Sequence, residues 1–227
     1  MGITRRGPPT AIISELKSTY NIPNFVETGT FLGDTAYWAS KNFQRVFTVE
    51  FSNTIYQQAL QKYGSVSNIT FLYGHTREKL KEIVSQIETP AVFWLDAHWS
   101  GDQTYGELDE CPVLDEIDII NQFRNDSFIF IDDARLFLSP PPQPHRADQW
   151  PDITAVLSAL NAGESRYIVV IEDIIIAVPE FAKPYMIRSC QEVNTAIWHE
   201  RMKRVQKSRW KKRAECIYHR MTAGFRK

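Results

Sequence analysis

Two apolar runs near the end of the chain, RYIVVI (166–171) and IIIAVP (174–179), are separated only by Glu172 and Asp173. A two-residue gap leaves no room for a crossover helix, so these strands must be antiparallel neighbours. The chain before them follows a different rule. After an amphipathic helix, TAIISELKSTYN, with Ile12, Ile13, Leu16 and Tyr20 at helical spacing, come the short apolar runs NFVET, RVFTVEF, ITFLYG, AVFWLDAH and SFIFIDD. Between them lie the longer helical patterns DTAYWASKNF, TIYQQALQKYG, TREKLKEIVSQI and CPVLDEIDIINQFR. Such alternation predicts parallel strands with crossover helices on both faces. Runs this uniformly apolar suit strands buried on both sides. The expected fold is therefore α/β: a seven-stranded, mostly parallel sheet closed by an antiparallel terminal hairpin, with helices on both faces.

At 227 residues and 43% hydrophobic content, the chain can bury a sizeable core. The pattern assigns this core to residues 1–182 and leaves 183–227 as a basic, helical C-terminal extension. From His199 onward, eleven Lys/Arg face two Asp/Glu, leaving 15 of the 26 basic and 25 of the 27 acidic residues to the body. A basic segment of this kind is a solvated helix, or a surface for nucleic acid or an anionic membrane. Trp198, Trp210 and Tyr218 would also suit packing on a second copy of the chain. No apolar run approaches the roughly 20 residues that span a bilayer, and MGITRRGPPT has no apolar segment behind its Arg pair. Cys111, Cys190 and Cys216 are too scattered for a disulfide framework, so a cytoplasmic location is expected.

In open parallel sheets, ligands bind beyond the carboxyl ends of the strands. Those ends carry Glu27, Thr28 and Gly29; Glu50; Gly74 and His75; Asp96 and His98; and Asp132 with Asp133. Each parallel strand thus delivers an ionisable group to one rim. The first loop, FVETGTFLGDT, lacks the Gly-Lys-Ser/Thr ending of a phosphate loop and the spacing of a dinucleotide fingerprint. Its acid, Glu27, would repel a pyrophosphate and suits a cationic group. Glu50, about twenty residues on, can bind both hydroxyls of a ribose. The ligand these features describe is a nucleoside with a positive side arm and no phosphates, which S-adenosylmethionine fits.

On VETGTFLG, FTVEF and the closing hairpin, the sequence resembles the class I S-adenosylmethionine-dependent methyltransferases over roughly residues 10–180. The resemblance implies a Rossmann-like sheet. It places Glu27, Gly29, Thr30 and Gly33 around the methionine part of the cofactor and Glu50 on the ribose. The adenine position after strand three falls on His75 and Thr76; His75 is alternatively a helix-start residue.

Asp96 and the pair Asp132-Asp133 converge from strands four and five. Clustered carboxylates raise one another's pKa unless a cation joins them, and hard oxygen ligands suit Mg²⁺, Mn²⁺ or Ca²⁺; capping and loop hydrogen bonds are the other use for them. LDAHWSGDQTYGE with FIDDARLF resembles, more narrowly, the metal-dependent sugar O-methyltransferases of the macrocin O-methyltransferase type. That match makes Asp96, Asp132 and Asp133 ligands of a divalent metal, expected to be Mg²⁺, and places His98 at the base position, where the family usually has Asp. His98 is otherwise a metal ligand, a substrate contact or a support for Asp96. The function implied is metal-assisted methylation of a hydroxyl on a sugar or glycosylated small molecule. The alternatives are an N- or catechol-type methyltransferase or a hydroxylase on the same fold, and a non-catalytic binding module acting through the basic tail. Trp94, Trp99, Tyr105, His145 and Arg146 are candidate substrate contacts or plain packing. Glu107, Asp109 and Glu110 would favour the positive end of the following helix.

Overall fold

The computed structural model describes residues 7–99, 109–123 and 126–224, with side chains through Lys207. Ser100, Gly101, Thr104, Tyr105 and Glu107 of the sequence motifs, and the side chains of Trp210, Cys216 and Tyr218, lie outside the described set. The chain divides into two compact units, residues 1–183 and 184–227.

In the first unit the elements run α1 (Thr10–Tyr20), β1 (Asn24–Thr28), α2 (Asp34–Ser40), β2 (Arg45–Glu50), α3 (Asn53–Tyr63), β3 (Ile69–Tyr73), α4 (Thr76–Val84) and β4 (Ala91–Leu95). They continue as α5 (Val113–Asn121), β5 (Ser127–Ile131), α6 (Arg135–Leu138), α7 (Ile153–Leu160), β6 (Arg166–Ile171) and β7 (Ile174–Pro179). The seven strands form one sheet in the order β3-β2-β1-β4-β5-β7-β6. β1 to β5 pair in parallel, and β7 runs antiparallel to both β5 and β6. The two-residue hairpin holds Glu172 and Asp173 at φ 48° and 70°, the left-handed pair whose twist matches that of the flanking strands. The expected α/β, Rossmann-like arrangement is the one observed.

The strand period divides the core. Phe47, Val49, Phe93, Leu95, Ile129 and Ile131 join α4, α5 and α7 residues such as Leu80, Ile83, Ile117, Ile120 and Val156 in one buried cluster. Alternate positions face the other side, where Phe25 of β1 meets Trp38 and Phe43. All five residues of β1, β4 and β5 are buried, as apolar strands covered on both faces require.

The register sets the rim. Thr28 is level with Leu95, and Leu95 with Ile131. Gly29, Asp96 and Asp132 therefore leave the sheet side by side, and the Asp96 and Asp132 amides still donate to Thr28 O (3.0 Å) and Leu95 O (3.1 Å). The order reverses between β1 and β4, the crevice where open α/β sheets bind ligands. The strands end earlier than the apolar runs suggest, because the residues past Leu95 and Ile131 turn their polar groups toward this crevice.

The second unit is dominated by one helix, α8 (Lys183–Gly224). Trp198, Met202 and Val205 are exposed, and Arg204 pairs with Glu200 one turn earlier at 2.6 Å. Among the described residues no helix is long and apolar enough to cross a membrane.

Candidate active site

The β1–α2 loop is built on one close approach. Gly29 has φ 89°, and a Cβ there would lie 2.4 Å from the Asp96 carbonyl oxygen. No side chain fits that gap, and L-residues avoid that φ. The Gly29 and Thr30 amides both donate to Val49 O, at 3.0 and 3.1 Å. Gly33, at φ 78°, closes the turn by donating to Thr30 O at 2.9 Å and caps α2.

A cavity of about 240 Å³ opens over this loop, lined by Gly29, Phe31, Glu50, His75, Thr76, Asp96, His98 and Asp109 among others. Glu50 ends β2 in its wall. Its Oε2 accepts the Phe31 amide (2.9 Å) and its Oε1 the Ser52 amide (2.8 Å). Each carboxylate oxygen keeps a lone pair for a further donor. Burial pushes the Glu50 pKa up, against the amides of Ser52 and Phe31 that favour its charge. His75 stands at the N-cap of α4 without a side-chain cap bond, and its ring meets Phe51 edge-on at 5.4 Å. His75 Nδ1 is buried without a hydrogen-bond partner, while the Thr76 hydroxyl faces the Glu116 carboxyl of α5. Unpaired buried polar atoms are rare and costly, and the His75 ring holds one beside this cavity.

Of the residues expected at a cofactor, Gly29, Glu50, His75 and Thr76 therefore line one cavity. Glu27, Thr30 and Gly33 sit behind it and shape the loop. Glu27 is 1% exposed and accepts the Thr48 hydroxyl at 2.6 Å. Thr48 in turn contacts the Thr30 hydroxyl at 2.6 Å. Burial pushes the Glu27 pKa up to about 8, against the Thr48 hydroxyl that favours its charge. Glu27 sits against Thr48 of β2 and Thr35 of α2, behind the cavity.

Beside the cavity lie the carboxylates of β4 and β5. His98 Nε2 is 2.8 Å from Asp133 Oδ2, and His98 Nδ1 is 3.7 Å from Asp96 Oδ1. Asp133 Oδ1 accepts Arg135 at 2.5 Å, and Arg135 also pairs with Asp173 of the hairpin. Burial opposes charge on Asp133, but His98 and Arg135 outweigh it and hold its pKa below the usual range. Burial likewise opposes the His98 imidazolium, and Asp133, Asp96 and Asp132 outweigh that, raising its pKa. Burial first, and the neighbouring acids second, push Asp132 up. Asp96 is pushed up by burial as well, with His98 pulling the other way. An ionised Asp133 can only accept, so Nε2 carries a proton; the raised pKa favours the imidazolium, and Nδ1 becomes an acceptor once the ring is neutral.

Asp96, Asp132 and Asp133 lie near enough to feel one another's charge. Both oxygens of Asp133 are nevertheless committed to His98 and Arg135, and Asp132 Oδ1 accepts the Asp133 amide at 2.8 Å. Among the described residues no group of three or more acidic, His or Cys side chains is placed to share an ion. The cations that offset Asp133 are supplied by the chain itself.

Three features of the site escape the sequence reading. Glu110 is not a helix-end charge: it is 1% exposed and accepts Arg146 N (2.9 Å) and Trp150 Nε1 (2.7 Å) from the Pro-rich segment. Asp109 instead pairs with Arg77 of α4, at 3.0 Å through Nη2. Glu116 lies on the buried face of α5 with Val113, Ile117 and Ile120. Burial pushes its carboxyl up to about 7, and the Thr76 and Thr28 hydroxyls offset this only in part. A charge at the i+3 position of an apolar helical stripe was the available signal for Glu116. The Glu110 contacts span roughly forty residues and leave no local signal.

No family model matches the sequence, and no curated protein matches it. Solved structures do share the fold. A protein assigned as a caffeoyl-CoA O-methyltransferase from Staphylococcus aureus superposes with a TM-score of 0.55 over 78% of this chain and 86% of that chain, at 13% identity. The cofactor-bound protein Rv0187 from MTB gives 0.51 over 78% and 83%, at 14% identity. The SAH-bound Podospora anserina methyltransferase PaMTH1 gives 0.50 over 77% and 83%, at 13% identity. With its strand order and reversed β7, the chain has the Rossmann-like fold of the S-adenosylmethionine-dependent methyltransferases.

Proposed function

We propose that the chain is an S-adenosylmethionine-dependent O-methyltransferase acting on a hydroxyl of a sugar or a glycosylated small molecule. One observation carries the reading. A single cavity brings together a ribose-binding carboxylate, Glu50, with His75 and Thr76, beside a histidine held by an ionised Asp133. Gly29 supplies a backbone cradle that any Cβ would fill.

The residues fit this cofactor. When bound, it supplies an electrophilic methyl group on a sulfonium. Glu50 accepts the ribose hydroxyls, while Thr76 and His75 meet the polar edge of the base. His98 Nδ1 would take the proton of an acceptor hydroxyl held beside it, and the cofactor would supply the methyl group to that oxygen. Asp133 keeps Nδ1 free by taking the Nε2 proton in a hydrogen bond, and it stabilises the imidazolium that forms. Asp96, near Nδ1, is placed to orient the acceptor. The sugar class rests on the likeness of the Asp96, His98, Asp132, Asp133 pattern to the macrocin-type enzymes. A divalent metal would draw on Asp96 and Asp132 among the described acids, since Asp133 is engaged.

The test is calorimetric titration of S-adenosylhomocysteine into the full chain and into Glu50→Ala. It is followed by transfer of a labelled methyl group to panels of glycosides, catechols and amines, with Mg²⁺ and with excess chelator. Binding that Glu50→Ala weakens, and turnover on glycosides, are expected. Turnover on amines or catechols alone would move the acceptor class. Turnover abolished by chelator would restore the metal-assisted form. No binding by the intact chain would overturn the reading.

A further inference from the structure

Glu110 is the most heavily engaged buried acid that methyl transfer leaves unused. Its side chain accepts the Arg146 amide at 2.9 and 3.1 Å and the Trp150 indole N–H at 2.7 Å, and it lies 3.3 Å from His145 Nδ1. Its own amide donates to Gln149 Oε1 at 3.0 Å, and its carbonyl accepts the Trp99 amide at 2.8 Å. One carboxylate thus gathers residues 145–150 of the Pro-rich segment and ties them to the start of α5.

What this gathering places is a ring wall on His98. The Trp150 ring meets the His98 ring at 5.6 Å, the His145 ring at 5.3 Å and the Phe137 ring at 5.6 Å. Trp150 is 8% exposed, so its position is set by contacts, with the indole bond to Glu110 as the polar one. Asp133 fixes one edge of the His98 ring through Nε2. That bond fixes one nitrogen, while the tilt of the ring about Cβ–Cγ is left to its packing, and Trp150 is the aromatic ring set edge-on against it. A hydrogen bond to a charged acceptor holds a donor more firmly than one between neutral groups.

From this geometry we infer that Glu110 is a positioning residue: it seats Trp150 against His98 and thereby aims His98 Nδ1 at the acceptor side of the cavity. The inference rests on the methyltransferase reading for its catalytic meaning, and on the contacts alone for the coupling of Glu110 to His98.

The experiment uses the full chain labelled with ¹⁵N-tryptophan, whose six indole signals include one that disappears in Trp150→Phe and is thereby assigned. S-adenosylhomocysteine affinity is measured on the same samples. His98→Gln is expected to move the Trp150 indole signal in the otherwise native chain. In Glu110→Gln, similar in shape but neutral, the signal itself shifts, and the added His98→Gln change moves it less than half as far. S-adenosylhomocysteine affinity in Glu110→Gln stays within about twofold, because the Glu110 side chain contacts Arg146, Trp150 and His145, which do not line the cofactor cavity. Glu110→Asp, one methylene too short to reach the indole, is the second variant should Glu110→Gln fold poorly, and the same response is expected. With a working acceptor, Glu110→Gln lowers kcat at least tenfold with the cofactor KM unchanged. A Trp150 signal indifferent to His98→Gln overturns the inference. So does a response equally large in the Glu110 variants, or a cofactor affinity that falls in parallel with turnover. If the native chain fails to bind S-adenosylhomocysteine, the methyltransferase reading falls, while the indole responses still decide whether Glu110 holds Trp150 on His98.

Discussion

Glu27 makes the electrostatics of the buried rim measurable. It is 1% exposed beneath the β1–α2 loop. Burial lifts its pKa from 4.5 to about 8, with Thr48 opposing and the Asp96 carboxylate adding to the rise. An acid whose pKa is higher in the folded state binds more protons folded than unfolded between those two values. Stability must therefore fall as pH rises through that window, and the loss is complete above the folded pKa. A tenfold difference in proton affinity between the folded and unfolded chain is worth about 1.36 kcal/mol, so the full window from 4.5 to about 8 has a ceiling of roughly 5 kcal/mol. Between pH 6 and 8 the share of this one group is roughly 2–3 kcal/mol. For a protein of this size that is on the order of 5–10 °C in Tm. Glu27→Gln keeps the shape and the acceptor for the Thr48 hydroxyl and cannot ionise. The assay is thermal unfolding of both proteins in matched buffers from pH 5.5 to 9. The difference in Tm between variant and native chain should grow in the variant's favour with rising pH and level off near pH 9. Taking the difference cancels the other titrating groups, Asp132 and His98 among them. A difference independent of pH would falsify the raised pKa of Glu27, because a carboxylate already ionised in the fold has no proton left to lose.

Gly29→Ala places a Cβ 2.4 Å from the Asp96 carbonyl at φ 89°; it should destabilise the fold by about 1–3 kcal/mol from backbone strain alone and abolish cofactor binding, as read by calorimetry and thermal shift together. Glu50→Ala leaves a stable fold but removes the acceptor for two ribose hydroxyls, so S-adenosylhomocysteine affinity should fall roughly tenfold or more at about 1.5–3 kcal/mol for hydrogen bonds to a charged group. Asp133→Asn lets Nε2 give up its proton and Nδ1 take it; methyl transfer should fall by roughly 10²–10⁴-fold, the span of a lost general base, while cofactor affinity is retained. Equal loss of both in Asp133→Asn would return Asp133 to a structural role.

Much of the architecture is local in origin and therefore legible in the chain itself. The two-residue gap at Glu172 and Asp173 forces antiparallel pairing, and the apolar runs alternating with helical patterns force the parallel remainder, because period and loop length are properties of neighbouring residues. The same logic puts Glu50, His75, Asp96, His98, Asp132 and Asp133 at one rim, since each follows an apolar run. Tertiary structure decided the rest. Register alone sets Gly29, Asp96 and Asp132 side by side. Burial, with Asp96 and Glu50 adding to it, raises the pKa of Glu27 under the loop. Contacts across the fold commit Asp133 to His98 and Arg135, and Glu110 to Trp150, a residue forty positions away. Which oxygen is free, which nitrogen holds the proton and which acid is charged depend on distance and dielectric between residues remote in sequence, and those exist only once the chain has folded.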